Sequence, residues 1–272
     1  GIFISNISGT ATVVVTSTDG RSENIEIYNN TITGAYIGVQ LRGYIHAAPY
    51  DFYDQNIQVG TDGANTISNY GGSTGTAYGV YAIYQNNVSV ANNSITSVTS
   101  GHAAILYGIF LSTGVNSNAD ILGNTVTITG GGTTNTIYAI NNAMGGTGTS
   151  NTINIANNIV SGCTYPTATT GAMYLCYTTA SSYNCNIYGN TLTNSTLPGT
   201  GVIYSLYVSG AVVNEVNIYN NNISNNTKTG SGLLYGIYNS PASTATSGIY
   251  GNTISGFSTA GSTVYGMYVN AG

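Results

Sequence analysis

Apolar and polar positions alternate along this chain in short bursts. Residues 24–33, NIEIYNNTIT, set Ile25, Ile27 and Ile32 among polar neighbours, then break the alternation with two adjacent asparagines. Near the other end, residues 248–255 repeat the phrase as GIYGNTIS. A period of two predicts half-buried strands. Asn is depleted from strands, so the amide pair marks a corner between two of them. A second phrase recurs between occurrences of the first: YGVY from Tyr78, YGIF from Tyr107, YAIN from Tyr138, YLCY from Tyr174, YSLY from Tyr204, YGIY from Tyr235 and YGMY from Tyr265. Its inward column is expected to be Val80, Ile109, Ile140, Cys176, Leu206, Ile237 and Met267. The leading Tyr lies two residues before that column and directly after another apolar residue (Ala77, Leu106, Ile137, Met173, Ile203, Leu234, Val264). A bend must fall nearby, and either of the two adjacent columns can be the inward one. In both cases the Tyr residues stack as an aromatic ladder.

Aligned on its last apolar residue, the opening phrase ends at Ile32, Ile67, Ile95, Val126, Val160, Leu192, Ile223 and Ile254. The mean interval is about 32 residues, a fixed period that marks a repeat architecture. Two short strands per period with Gly/Ser/Thr/Asn-rich turns describe one coil of a β-solenoid. Leucine-rich repeats need a Leu lattice, helical repeats a 3.6-residue periodicity, and a propeller blade four strands; none of these patterns is present.

Two residues before each aligned apolar position stand Asn30, Asn65, Asn93, Asn124, Asn158, Asn190, Asn221 and Asn252. The residue before each is Asn29, Ala64, Asn92, Gly123, Asn157, Gly189, Asn220 or Gly251. Gly and Asn exchange most readily where the backbone is left-handed, which predicts a tight corner. Coils stack about 4.8 Å apart, so the invariant Asn column is expected to form an amide ladder. Interior columns follow by alternation, such as Ile25, Ile27 and Ile32 in one coil and Val216, Ile218 and Ile223 in another. The pattern I-x-I-x-N/G-N-x-I, once per coil over the whole chain, resembles the repeat of the pectate-lyase-like superfamily, in particular its bacterial secreted and surface members. That resemblance implies a right-handed, single-stranded parallel β-helix: all-β, a single domain over 1–272, about eight coils of roughly 32 residues. It implies little about activity, since the fold carries lyases, hydrolases, epimerases, tailspikes and surface proteins.

Composition agrees with an all-β chain. Lys, Arg, Glu and Gln are nearly absent, while Gly, Asn and β-branched residues abound, which disfavours helix. Charged residues are only 4% of the chain, three basic and eight acidic, against roughly 25% in an ordinary domain. With 42% apolar residues regularly placed, a packed core is expected rather than disorder. A formal net charge of −5 argues against a nucleic-acid partner. No apolar run of membrane-spanning length occurs. The opening GIFISN has neither Met nor a signal-peptide pattern, and is expected to belong to a mature or excised segment. Cys163, Cys176 and Cys185 lack metal-ligand spacing, so no metal site is expected of them. Cys176 and Cys185 occupy positions where other repeats place Ile, Val or Leu, which favours buried packing; a bridge between two of the three stays open.

Regularity fails in two places. The coils before Ile32 and Ile67 carry enlarged loops, within 5–24 and 40–63, expected to lie next to each other. They hold Asp19, Arg21, Glu23, Glu26, Arg42, Asp51, Asp54 and Asp62, most of the formal charge, together with His46. Long loops on a regular scaffold are where function concentrates. The resemblance supplies a chemistry to weigh: polysaccharide lyases of that fold use an Asp cluster for calcium with a basic residue as proton acceptor, and hydrolases use paired Asp. Asp51, Asp54 and Asp62 would then hold Ca2+, with Arg42 and His46 as cation and base. The lyase and hydrolase motifs themselves are not recognisable, so these five residues are candidates for ligand binding, with no catalytic assignment. His102, in SGHAAI, is expected to be a solvated turn residue. Seven N-x-S/T sequons begin at Asn6, Asn29, Asn87, Asn92, Asn194, Asn222 and Asn225; several are by-products of the corner phrase. Paired hydroxyls such as Thr31/Thr33, Ser94/Thr96 and Thr125/Thr127 bring in ice binding as a minor alternative, against which the uneven coil lengths argue.

No capping element is evident at either end, and Gly1 and Gly266 share a repeat position. Open ends expose sheet edges. The chain is therefore expected to be part of a longer array or a head-to-tail filament unit: an extracellular, non-enzymatic fibre, adhesin stalk or sheath at a cell surface, with itself as partner. The alternative is a polysaccharide-binding or polysaccharide-degrading β-helix that uses loop 40–63 on glycans.

Overall fold

The structure is a computed structural model, and it describes residues 1–6, 14–72, 74–241, 245–261 and 263–270. The alternating phrases form strands, and among the described residues the strands pair in parallel, each with its equivalent one coil away. The result is a parallel β-solenoid with three long faces: one sheet of nine strands and two of eight. The first face runs from Ile2–Ser5 and Ile37–Arg42 through Ala77–Ile83, Leu106–Leu111, Ile137–Asn142, Met173–Thr178, Ile203–Val208 and Leu234–Asn239 to Val264–Val269. The second holds the strands before each corner, Glu26–Ile27 to Thr246–Tyr250, and the third those after it, Thr31–Thr33 to Thr253–Ser255. No helix among the described residues is long and apolar enough to cross a membrane.

The core is a set of columns running along the axis. Val216, Ile218 and Ile223 are fully buried, as are Val80, Ile109, Ile140, Cys176, Leu206 and Ile237, each buried aliphatic side chain worth roughly 1.5–3 kcal/mol. The columns thin out at the terminal coils, which have a neighbour on one side only. Ile25 and Ile32 are partly buried, and Met267 is 46% exposed. All three cysteines lie in the core as free thiols. Burial raises their pKa, to about 11 for Cys163 and about 12 for Cys185, which leaves them protonated and unreactive.

The corner explains the amide pair. Asn29, Asn92, Asn157 and Asn220 have φ of 56°, 60°, 56° and 55°, and Gly123, Gly189 and Gly251 have 64°, 65° and 66°. Ala64 departs from this column. Between Val59 and Asn65 the chain inserts Gly60–Ala64, and the left-handed residue is Gly60, with φ 88°. A side chain with a Cβ is strained there, and this detour accounts for the longest interval between ladder asparagines. Five of the seven sequon asparagines, Asn29, Asn87, Asn92, Asn194 and Asn225, are left-handed corner residues, so the sequon pattern follows from backbone geometry.

The predicted ladder runs unbroken from Asn30 to Asn252. Each side-chain amide donates to the Oδ1 of the next coil's asparagine at 2.9–3.0 Å. From Asn65 on, its second N–H reaches a backbone carbonyl of the preceding coil, Ile121 for Asn158 and Ile155 for Asn190, both at 2.8 Å. The backbone N–H of each ladder residue shares the same Oδ1, as Asn124 does with Asn158 at 2.9 Å. Six of the eight, Asn65 through Asn221, are fully buried yet satisfied, which is the condition under which burying an amide is tolerated.

Candidate functional site

The strands of the first face settle which way the tyrosines point. In Leu106–Leu111, Leu106, Ile109 and Leu111 are buried while Tyr107 and Phe110 face out. Alternation breaks once, at Gly108–Ile109, where two successive residues turn inward. The apolar residue before each Tyr is therefore on the interior side and the Tyr on the outer side, where Tyr235 alone of the column is buried, at 7% exposure. The same bend brings the last residue of the phrase outward as well, so the face carries two aromatic columns. One comprises Tyr78, Tyr107, Tyr138, Tyr174, Tyr204, Tyr235 and Tyr265, with successive ring centroids 4.8–5.2 Å apart. The other comprises Tyr81, Phe110, Tyr177, Tyr207, Tyr238 and Tyr268, interrupted by Asn141. Pairs across the columns also touch, 4.5 Å for Tyr107–Phe110 and 4.8 Å for both Tyr174–Tyr177 and Tyr204–Tyr207. The second column was legible as the fourth letter of YGIY but has no meaning until the bend is placed. Burial, then the neighbouring phenols, raise the Tyr107, Tyr174 and Tyr204 pKa, the last to about 12, so the face is neutral across the physiological range. None of its seven strands from Ala77–Ile83 to Val264–Val269 contains a charged residue.

The charged loops do pack together, as the spacing suggests, but not as a ligand cluster. Arg21 pairs with Glu23 and donates from Nη1 to the backbone carbonyl of Asp51 at 2.6 Å, holding one loop against the other. Asp54 is buried and accepts from the Asn6 amide, from the Ser22 N–H at 2.8 Å and from Gln85 Nε2 at 3.4 Å. It thus ties three successive coils at one corner, and burial raises its pKa. Asp51 is exposed at the rim. Asp62 sits on the Gly60–Ala64 detour at a different corner, on the far side of the strand Gln58–Val59. The calcium set Asp51, Asp54 and Asp62 is therefore not assembled, and the described residues hold no group of three or more His, Cys, Asp or Glu side chains placed to share a metal ion. Arg42 ends its strand with an exposed side chain. His46 stacks on Phe52, ring centroids 3.9 Å apart, and its Nδ1 accepts the Phe52 N–H at 3.4 Å, so it is engaged within its own loop. A small cleft of about 90 Å³, which His46 does not line, is bordered by Tyr50, Asp51, Tyr53, Gln55, Asn86 and Asn116.

His102 is a correction. It is fully buried, not solvated: Nδ1 accepts the Gly72 N–H at 3.0 Å and Nε2 faces the Gly75 carbonyl at 2.8 Å. Those partners assign the proton to Nε2. The ring thus bridges two backbone groups, the Gly72 N–H and the Gly75 carbonyl. Lys228, unremarked in the sequence, is likewise buried, and its Nζ donates to the carbonyls of Leu197, Pro198 and Gly199 at 3.4, 3.1 and 2.6 Å. Neither side chain is repeated at the paired position of the next coil, where His102 meets Gly130 and Lys228 meets Leu197 and Thr259, so no column reveals its direction.

On the third face the hydroxyls form outward columns in register: Thr31↔Thr66, Ser94↔Thr66, Ser94↔Thr125, Thr191↔Asn222 and Asn222↔Thr253. These short strands keep register from coil to coil except after Thr96, where Ser97 pairs with Tyr70 across a one-residue shift. Ile159 and Asn222 nevertheless replace hydroxyls in the outer column. No family model, curated protein or solved structure matches the chain.

Proposed function

We propose that this chain is an extracellular, non-enzymatic structural β-solenoid, a length of surface fibre, adhesin stalk or sheath extended end to end along its axis. The observation that supports this is axial continuity. Parallel pairing on three faces, the asparagine ladder and the aromatic columns all run along one direction, so load on the rod is shared by hydrogen bonds and ring contacts in every coil. The strand Val264–Val269 presents apolar side chains along an open edge, with Met267 46% and Val269 51% exposed. Further coils or a second copy would cover that edge by the pairing every other coil uses. Electron microscopy of the native material tests the proposal: straight rods with a fibre-diffraction repeat of about 4.8 Å along the axis are expected. Dispersed globular particles at high concentration, without fibres, would count against it.

A polysaccharide-binding or polysaccharide-degrading β-helix is the second reading. The Tyr50/Asp51/Tyr53 cleft favours it, with room for a single polar group of a glycan. It predicts that acidic or neutral glycans bind the chain and that Asp51→Ala abolishes binding; turnover would add an activity to this surface. For ice binding, the Ile159 and Asn222 interruptions lead to an expectation of no thermal hysteresis.

A further inference from the structure

We infer that the aromatic face is a side-by-side contact between two copies of this chain, separate from the end-on contact proposed above. Three features of the face point to a second copy. Its axial period is the coil rise, with rings repeating every 4.8–5.2 Å in the first column. A ridged surface of that period meshes along its whole length only with a partner of the same period, and another copy has it by construction. The ring faces are already engaged with their neighbours in the stack, at interplanar angles of 3–22° along the first column. What remains outward are ring edges and phenol hydroxyls, which suit interdigitation and hydroxyl–hydroxyl bonding with a like surface. No charged side chain stands on these seven strands, so like surfaces meet without repulsion although each chain carries a formal net charge of −5.

The size of the strip sets the strength. Seven strands at ~4.8 Å and three residues of strand with ring overhang give a strip about 34 Å by about 15 Å. Two such strips bury about 1,000 Å² together, the lower limit for a specific interface. Pairing of a single length of rod is therefore weak and concentration-dependent. It strengthens where rods are long, because contacts along one rod act together.

Sedimentation velocity over a concentration series tests the pairing, with circular dichroism as the control for folding. The unaltered chain is expected to shift from monomer to dimer, and the double variant Tyr138→Lys/Tyr174→Lys to self-associate at least about tenfold more weakly. Since lysines within a ring stack could disturb folding, a second arm uses single cysteines. Tyr174→Cys is expected to give a disulfide-linked dimer on mild oxidation, whereas Tyr219→Cys, on the separate Tyr188–Tyr219–Tyr250 column of the second face, stays monomeric. Dimers that persist in the double lysine variant and vanish in Val269→Lys would place the contact at the ends and overturn the inference. So would a chain that remains monomeric at millimolar concentration, or one that stays monomeric yet is retained on an insoluble neutral polysaccharide.

Discussion

An asparagine in the middle of the ladder carries more than one at its end. Replacing Asn158 by Leu removes the acceptor shared by the Asn124 backbone and side-chain N–H groups and strands the Ile121 carbonyl. Each buried group left unpaired costs about 1–3 kcal/mol, so Asn158→Leu should destabilise by roughly 3 kcal/mol or more. Asn252 is partly exposed and water can replace its bonds, so Asn252→Leu should cost about 1 kcal/mol. Denaturant melts of the two variants measure the difference; equal effects would refute the ladder as a source of stability. His102 makes a pH prediction. Burial lowers its pKa below the usual histidine value, so in the folded protein it stays neutral where the unfolded chain already binds a proton. Its contribution is complete above about pH 6.5 and is lost as pH falls toward the folded value. Melting temperature should drop on acidification below about pH 6.5, and His102→Gln should flatten that limb. The eight asparagines were legible in the sequence because a ladder needs the same residue in every coil. His102 and Asp54 were not: neither repeats along a column, and only the folded chain shows which groups each of them bonds.

Within a strand, the bend at Gly108 and its equivalents determines what the aromatic residues do. Strict alternation would have put Tyr107 inside with Ile109, whereas the break places Leu106 and Ile109 in the core and both rings outside. Sequence periodicity located the bend but not its direction, because both neighbouring columns are apolar and either packs. The corner preceding Asn65 shows the converse. Its Ala64 breaks the Gly/Asn column, a visible sign that the left-handed residue has moved, yet only the structure shows that it moved to Gly60. The aromatic columns should stabilise the strands that bear them. Tyr174 touches Tyr138, Tyr177 and Tyr204 at 4.8–4.9 Å. At about 0.5–1.5 kcal/mol per pair, Tyr174→Ser should cost about 2 kcal/mol or more in chemical denaturation. Tyr28→Ser, at an exposed position outside the two aromatic columns of the first face, should stay within about 0.5 kcal/mol.

Across the whole molecule, each coil touches only its neighbours, so stability is transmitted along one dimension. Protection against hydrogen exchange should then be highest in Ile137–Asn142 and Met173–Thr178, which have coils on both sides, and lowest in Val264–Val269, whose side chains are all exposed. Asp54 is the point at which the first coils depart from this gradient, because its carboxylate joins Asn6, Ser22 and Gln85 across three of them. Asp54→Ala would leave the Ser22 N–H and the two amides without their acceptor, and the coils nearest Ile2–Ser5 should lose protection while those beyond Ile137 keep theirs. Asp54→Asn is the informative counterpart. Its Oδ1 can still accept from Asn6 and Ser22, and its amide N–H can meet the Gln85 Oε1, which is buried without a partner, once the Gln85 amide rotates. The raised pKa of Asp54 gives the sign of the charge effect. The neutral acid stabilises below the unfolded value of about 3.9, and that contribution is lost as pH rises through the folded value. Near neutral pH the folded protein therefore holds a buried carboxylate at a cost, which the asparagine removes. Exchange measured at pH 7 should find the first coils of Asp54→Asn protected as well as or better than in the unaltered chain, and those of Asp54→Ala less. If both variants lost protection alike, the carboxylate would be needed for its charge rather than for its geometry, and the charged corner would have to be reconsidered as a site for a cation.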